Sequence, residues 1–320
     1  MKRMPFTKAA LLAAAASALP MTALLAQASG TAPFRVAETG RSYASLQQAV
    51  DAIGAGRATI VIAPGTYRQC AVQEEGIVTY LAEQPGSVTF TGKPCEDKAA
   101  LVLRGRRAEV RGLTFTGIRV ADFNGSGIRL EQGDLEVSDA RFADSQQGIL
   151  TANGVRAQVV ILRSTFSGLG NCDDEDVGCA HSVYVGDYGA LTVRESRFER
   201  GAGGHYLKTR TGEVVIEDNS FDDSAGFETN YMIDLPAGAR GRIAGNFFVQ
   251  GKNKLNSSVF IALGTETILH PSDGLRVENN EARFVPGLRR QSAFLADWTG
   301  SRVVMQNNRL MDGITQYETR

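Results

Sequence analysis

Six segments of this chain repeat one pattern: Val110-Arg-Gly-Leu-Thr-Phe115, Val137-Ser-Asp-Ala-Arg-Phe142, Ile161-Leu-Arg-Ser-Thr-Phe166, Val193-Arg-Glu-Ser-Arg-Phe198, Ile216-Glu-Asp-Asn-Ser-Phe221 and Ile243-Ala-Gly-Asn-Phe-Phe248. Each has a branched aliphatic, then in all but the first a small residue or Asn three positions on, then Phe two further. Weaker copies follow at Val277-Glu-Asn-Asn280 and Val304-Met-Gln-Asn307, and successive copies lie 23 to 34 residues apart. A unit of that length holds two or three short strands and cannot bury its own apolar face. Stacked at about 4.8 Å per unit, it forms parallel sheets in which like residues lie over like. The Phe positions then form an internal stack. Asn219, Asn246, Asn280 and Asn307 form a ladder at a turn, where Asn tolerates left-handed backbone and its amide can bond the next rung.

A second strand precedes each copy: Ile128-Arg-Leu130, Val183-Tyr-Val185, Leu207-Lys-Thr209, Ile233-Asp-Leu235 and Val259-Phe-Ile-Ala-Leu263. Their alternation sends every other residue outward. A helical repeat is the competing reading, but the β-branched, Gly-rich composition and the period of two oppose it. Ser42 to Ile53 reads as an amphipathic helix with Ser42 or Ser45 near its start, and Thr59 to Tyr67 as the first strand and turn. Together they suit the cap that a solenoid's open end requires. The expectation is an all-β, single-domain right-handed parallel β-helix of about eight to ten rungs with an N-terminal capping helix.

The helix of form "sLqqAvdai", the "iviaPGtY" strand and the rungs ending in "N-x-F" resemble the secreted right-handed parallel β-helix superfamily. That group includes pectate lyases and related polysaccharide lyases, some glycoside hydrolases and mannuronan epimerases. The stretch from His181 to Leu235 also resembles uncharacterised bacterial β-helix proteins with "H-x-I-Y-V-G", "G-H-x-I-K-S-R" and "Y-x-I-D-L-P" segments. The resemblance covers nearly the whole chain after the leader and speaks to fold, since the superfamily hosts lyases, hydrolases, epimerases and adhesins.

Lys2, Arg3 and Lys8 precede an uncharged apolar run from Ala9 to Leu25, and Ala26-Gln27-Ala28 puts small residues at a cleavage site. Residues 1–28 therefore read as a signal peptide, and 29–320 as the β-helix domain, periplasmic or secreted. The run is Ala-rich, broken by Pro20 and too short for a stable membrane span. Losing Lys2, Arg3 and Lys8 takes the net charge from −1 to −4, so nothing suggests nucleic acid as a partner. Four cysteines suit an oxidising compartment. Cys172 and Cys179 bracket the acidic run Asp173-Asp174-Glu175-Asp176, which leaves Cys70 and Cys95 for each other; this pairing, one of three, is preferred on proximity. A zinc site is the weaker reading, given the spacings.

Chemistry concentrates in three rungs that align without gaps: His181-Ser-Val-Tyr184-Val-Gly186, His205-Tyr-Leu-Lys208-Thr-Arg210 and Tyr231-Met-Ile-Asp234-Leu-Pro236. With Val183, Leu207 and Ile233 inward, Tyr184, Lys208 and Asp234 form an outward column, flanked on the same face by Tyr206 and Arg210. This set suits β-elimination from a uronate. Arg210 would bind the substrate carboxylate in bidentate fashion. Lys208 would act as base if Arg210 lowered its pKa, and Tyr184 or Tyr206 as acid. A C5 epimerase needs the same groups. Strict alternation puts His181 and His205 inward or at a corner, as a structural stack or as catalytic groups; His270, in a Pro-containing loop, carries little weight.

Hydrolysis, with Asp234 and Asp187 as the carboxylate pair, and non-catalytic glycan binding are the alternatives, and an exposed Lys between Tyr and Asp can also be an ordinary cross-strand pair. Trp298, Phe260 and Phe294 are candidates for sugar stacking, though core packing suits the two Phe residues better. The acidic run offers oxygen ligands to Ca²⁺, which several β-helix lyases use to hold substrate carboxylates; four adjacent acids also read as a solvated turn. The expected partner is an acidic polysaccharide.

Overall fold

A computed structural model of the chain describes residues 1, 32–172 and 178–320, and Ala32–Arg320 forms one compact unit. The expected leader falls on residues 2–31 and the acidic run on 173–177, outside the described residues. Among the described residues, three long sheets carry twelve, ten and ten strands, and neighbours are three strands apart in sequence except at the cap end of the first sheet, where Ser42–Tyr43, Phe34–Val36 and Arg57–Ile62 adjoin in that order. Each turn of chain thus gives one strand to each sheet, the arrangement of a right-handed parallel β-helix. Within these sheets pairing is parallel except where Phe34–Val36 meets Ser42–Tyr43 and Arg57–Ile62.

The repeated Phe column is the spine of the core. Phe90, Phe115, Phe142, Phe166, Phe198, Phe221 and Phe248 stack with ring centroids 4.7–5.8 Å apart, all of them buried. The spacing follows from the rung height, and offset stacking adds about 0.5–1.5 kcal/mol per pair beyond burial. Tyr67 and Phe34 continue the stack toward the cap. After Phe248 the register places Ala282, and Phe260 and Phe294 pack edge-on against Phe248 to fill the space. Both are fully buried, so neither is available to stack on a sugar.

The ladder is longer than the Asn positions suggest. The backbone N–H groups of Ala140, Ser164, Ser196, Asn219, Asn246 and Asn280 each donate to the side chain one rung on: Ser164, Ser196, Asn219, Asn246, Asn280 and Asn308. The last member is Asn308 rather than Asn307, because Val277 pairs with Met305 and the final copy is shifted by one residue. Asn307 instead takes the left-handed backbone of the turn (φ 53°), as do Asp139, Arg163, Glu195, Asp218 and Asn279 at equivalent places. Turning and bridging are thus separate jobs of adjacent residues. Asn246 uses its whole amide: Oδ1 accepts from Asn219 N and Nδ2, while Nδ2 donates to Ile216 O and Asn280 Oδ1. Asn246→Ala is expected to cost about 1–3 kcal/mol through buried groups left unpaired; an unchanged denaturation midpoint would remove the ladder from the stability account.

The cap helix is shorter than its amphipathic pattern, spanning Leu46–Asp51, with Ser45 capping it by accepting the Gln48 N–H. Ser42 lies in a strand paired with Phe34–Val36 instead. Leu46, Ala49 and Val50 are buried and join the main core. Cys70–Cys95 and Cys172–Cys179 are both disulfide-bonded.

Candidate functional site

The third sheet carries the candidate residues. Its outward column runs Val102, Arg129, Leu150, Tyr184, Lys208, Asp234, Ala262, Ala296. The expected contact of Tyr184, Lys208 and Asp234 on successive rungs is therefore present. The middle of the column is polar, and its flanks are small or apolar apart from Arg129.

Simple alternation fails at the start of each of these strands. Tyr206 and Leu207 both belong to the main core, as do Met232 with Ile233 and Phe260 with Ile261. The chain turns a corner there, and two successive residues point inward. At Gly127 and Gly148, in the same corner column, an added Cβ would stand 2.6 Å from Phe142 and 2.8 Å from Phe166, so the corner lies directly against the Phe stack. Tyr206 is consequently not on the outward face. It is 1% exposed, donates to Asp223 Oδ1 at 2.8 Å and accepts the Gly201 N–H at 3.0 Å. It is removed from any list of proton donors to a ligand.

The corner moves the residue before it outward. His181, His205 and Tyr231 stack one above another, with centroids 4.8 and 5.2 Å apart. Tyr231 also packs against a small apolar cluster of Val259, Ala262, Ala293 and Ala296, separate from the main core. The histidines are therefore on the outer side of the corner rather than inside. His205 Nδ1 accepts the Tyr231 N–H at 3.2 Å, so the neutral ring carries its proton on Nε2. That nitrogen lies 3.4 Å from Asp234 Oδ2. Burial, with help from Lys208 and Arg210, pushes His181 down to about 3, and burial with nearby cations also holds His205 well below the usual range. Both rings are neutral at neutral pH, and the His205–Asp234 contact is an N–H facing a carboxyl, not an ion pair.

Asp234 is 2% exposed. Burial raises its carboxyl to about 6, against the opposing pull of Lys208 and Thr265. Lys208 Nζ lies 3.6 Å away, and Thr265 donates to Asp234 Oδ1 at 3.1 Å. Lys208 Nζ also donates to Glu266 Oε1 at 2.8 Å, and Arg210 pairs with Glu266 Oε2. Burial pushes the Glu266 carboxyl up, but these two cations outweigh it and hold it below the ordinary value. Both cations lie over the Tyr184 ring, 5.7 and 5.2 Å from its centroid. An ammonium held between two carboxylates is a poor candidate for a free-amine base.

Thr265 and Glu266 escaped the sequence reading. They sit on a loop between strands Val259–Leu263 and Arg276–Glu278, far longer than the turn from Leu235 to Arg240 one rung earlier. Such an insertion beside the polar column was the available signal. The same loop brings His270 Nε2 to 2.9 Å from Asp187 Oδ1. Asp187 is thus occupied by His270, while Glu266 is the second carboxylate that shares Lys208 with Asp234. Trp298 lies beyond the charged group, packed on the Val259, Ala262, Ala293 and Ala296 cluster beneath the Arg320 guanidinium, 5.2 Å from its ring centroid.

Next to Tyr184 the column continues into a cleft of ≈ 350 Å³ lined by Lys98, Asn124, Arg129, Leu150, Asn153 and Tyr184 among others. The cleft and the charged group together follow the helix axis. Among the described residues, no group of three or more His, Cys, Asp or Glu is placed to hold a metal ion, and no helix is long and apolar enough to cross a membrane.

Residues 99–315 match the family described as the right handed beta helix region. Among solved structures, the surface protein and adhesin PfbA of Streptococcus pneumoniae is similar, with a TM-score of 0.39 and 9% identity over 86% of this chain and 94% of that one. No curated protein matches the chain.

Proposed function

This chain belongs to the right-handed β-helix family, and on that premise we propose that it acts outside the cytoplasm on an acidic, uronate-containing polysaccharide, cleaving it by β-elimination at the Lys208–Asp234 group. The observation that carries this reading is Asp234, a buried carboxyl raised to about 6, beside Lys208 on an outward column, with Arg210 joined to Lys208 through Glu266. A group that titrates near the working pH is suited to moving a proton. Two disulfides and the expected leader support an oxidising, extracytoplasmic setting.

In this mechanism Arg210 and Lys208 hold the uronate carboxylate and acidify the C5 proton. Asp234, ionised above pH 6, takes that proton, and His205 Nε2–H faces the carboxyl and orients it. The C5–H electron pair becomes the C4=C5 double bond and the C4–O bond breaks. The phenol of Tyr184, the outward tyrosine of the group, protonates the leaving oxygen. The geometry favours Asp234 over Lys208 as base because Lys208 already contacts two carboxylates. Returning the proton to the opposite face of C5 would make the same site an epimerase.

Hydrolysis has one observation in its favour: neighbouring environments push Asp234 up and Glu266 down, the pattern of an acid and a base. The test is absorbance at about 235 nm on a panel of uronate polysaccharides, with and without Ca²⁺. A rise on one glycan supports elimination. Reducing ends without that absorbance would replace it with hydrolysis, and saturable binding without product would leave a glycan-binding protein.

A further inference from the structure

We propose that Glu266 is a built-in occupant of the carboxylate seat formed by Lys208 and Arg210, and that a ligand carboxylate exchanges with it, which makes Glu266 an internal competitor that an acidic sugar can replace and a neutral one cannot. The inference rests on the reading of this group as a uronate site and adds a residue that competes with the ligand for the seat.

One oxygen of Glu266 meets Lys208 and the other meets Arg210, so the two cations already grip a carboxylate from both sides. Bidentate, charge-assisted contacts of this kind are the strong ones. Glu266 is nevertheless the most exposed member, with 40% of its side chain accessible against 12% for Lys208 and 25% for Arg210. Arg210 Nη1 is buried and has no hydrogen-bond partner among the described residues, so the seat has a donor in reserve.

The loop's main chain is fixed independently of the seat. Glu266 N donates to Pro236 O, and Leu269 N and His270 N donate to Ala237 O, at 2.9–3.0 Å. The His270–Asp187 contact holds its far end. Exchange consequently asks for rotation of one side chain and not for opening of a lid. Swapping one carboxylate for another leaves both cations paired throughout. A neutral sugar that displaced Glu266 would leave Arg210 without its carboxylate and Lys208 with Asp234 alone, which is costly, so only a ligand that brings its own carboxylate exchanges with Glu266.

The test is calorimetric titration with sodium glucuronate and with methyl glucoside, at constant ionic strength, of the wild type and of Glu266→Gln. The variant is expected to bind glucuronate about tenfold tighter or more, with methyl glucoside unaffected, and adding Arg210→Gln should erase the gain. Should Glu266→Gln fail to fold, Glu266→Asp keeps the charge on an arm one methylene shorter and should shift glucuronate binding in the same direction. Equal or weaker glucuronate binding by a folded variant overturns the exchange and makes Glu266 a fixed part of the site. The outcomes separate from those of the proposed reaction: a glucuronate gain with no turnover on any uronate polysaccharide sinks the elimination alone, and turnover without the gain sinks the exchange alone.

Discussion

Asp234→Asn should lower turnover on a uronate polysaccharide by about 10²–10⁴-fold, the range that a positioned proton acceptor supplies. The substitution keeps the shape of the side chain and its acceptor for Thr265, so the fold should persist. The pH profile adds a sign. With Asp234 as base, kcat/KM of the wild type rises as pH passes about 6, where burial has placed this carboxyl. With Asp234 as a hydrolytic acid, activity would instead fall above the same point, and such a profile would end the elimination reading. Stability carries a second signature. An unfolded Asp titrates near ~3.9, below the folded value, so the native state binds this proton more tightly. The contribution is fully present below about pH 4 and is lost as pH rises through about 6. Asp234→Asn should flatten that part of the curve, as read by denaturant midpoints across pH.

The largest stability effect is expected away from the site. Asp223 and Lys254 have fully buried side chains 3.4 Å apart. Asp223 Oδ1 also accepts from Tyr206 and Thr229, and Oδ2 from Gly251 N. Lys254 donates to Thr229 and to Asn230 O as well. Burial pulls the Lys254 ammonium below its usual range, and Asp223 pulls it back. Asp223→Ala would leave a buried cation without its counter-charge, and two hydroxyls and an amide without their acceptor, at a cost of about 3–5 kcal/mol. Asp223→Leu with Lys254→Met removes both charges and should recover much of that loss. A loss below about 1 kcal/mol in Asp223→Ala would mean that water reaches the pair after all.

Much of the chain's organisation was legible before any coordinates. The Phe positions and the parallel register of the later rungs follow from like stacking on like, which periodicity alone reports. So does the column of Tyr184, Lys208 and Asp234, because three aligned rungs share one alternation. Both cysteine pairings follow from proximity along the chain. The failures are local, and those at the site share one cause. Strict alternation assumes a straight strand, yet the third sheet begins at a corner where residues 206 and 207 both turn inward. That single departure buries Tyr206, lifts His205 outward and brings its Nε2 to Asp234. A one-residue slip in the last rung likewise exchanges Asn307 for Asn308.

The solenoid follows from the repeat alone, since a unit too small for its own core must stack on copies of itself. The chemistry of the exposed sheet depends instead on contacts between distant parts of the chain. Glu266 reaches Lys208 across 58 residues, and Lys254 reaches Asp223 across 31. Loops of irregular length carry Glu266, His270 and Lys254 to their partners, and no repeat constrains where such loops return. The carboxyl of Asp234 titrates as it does because of how deeply those returning segments bury it, a quantity that no spacing in the chain encodes.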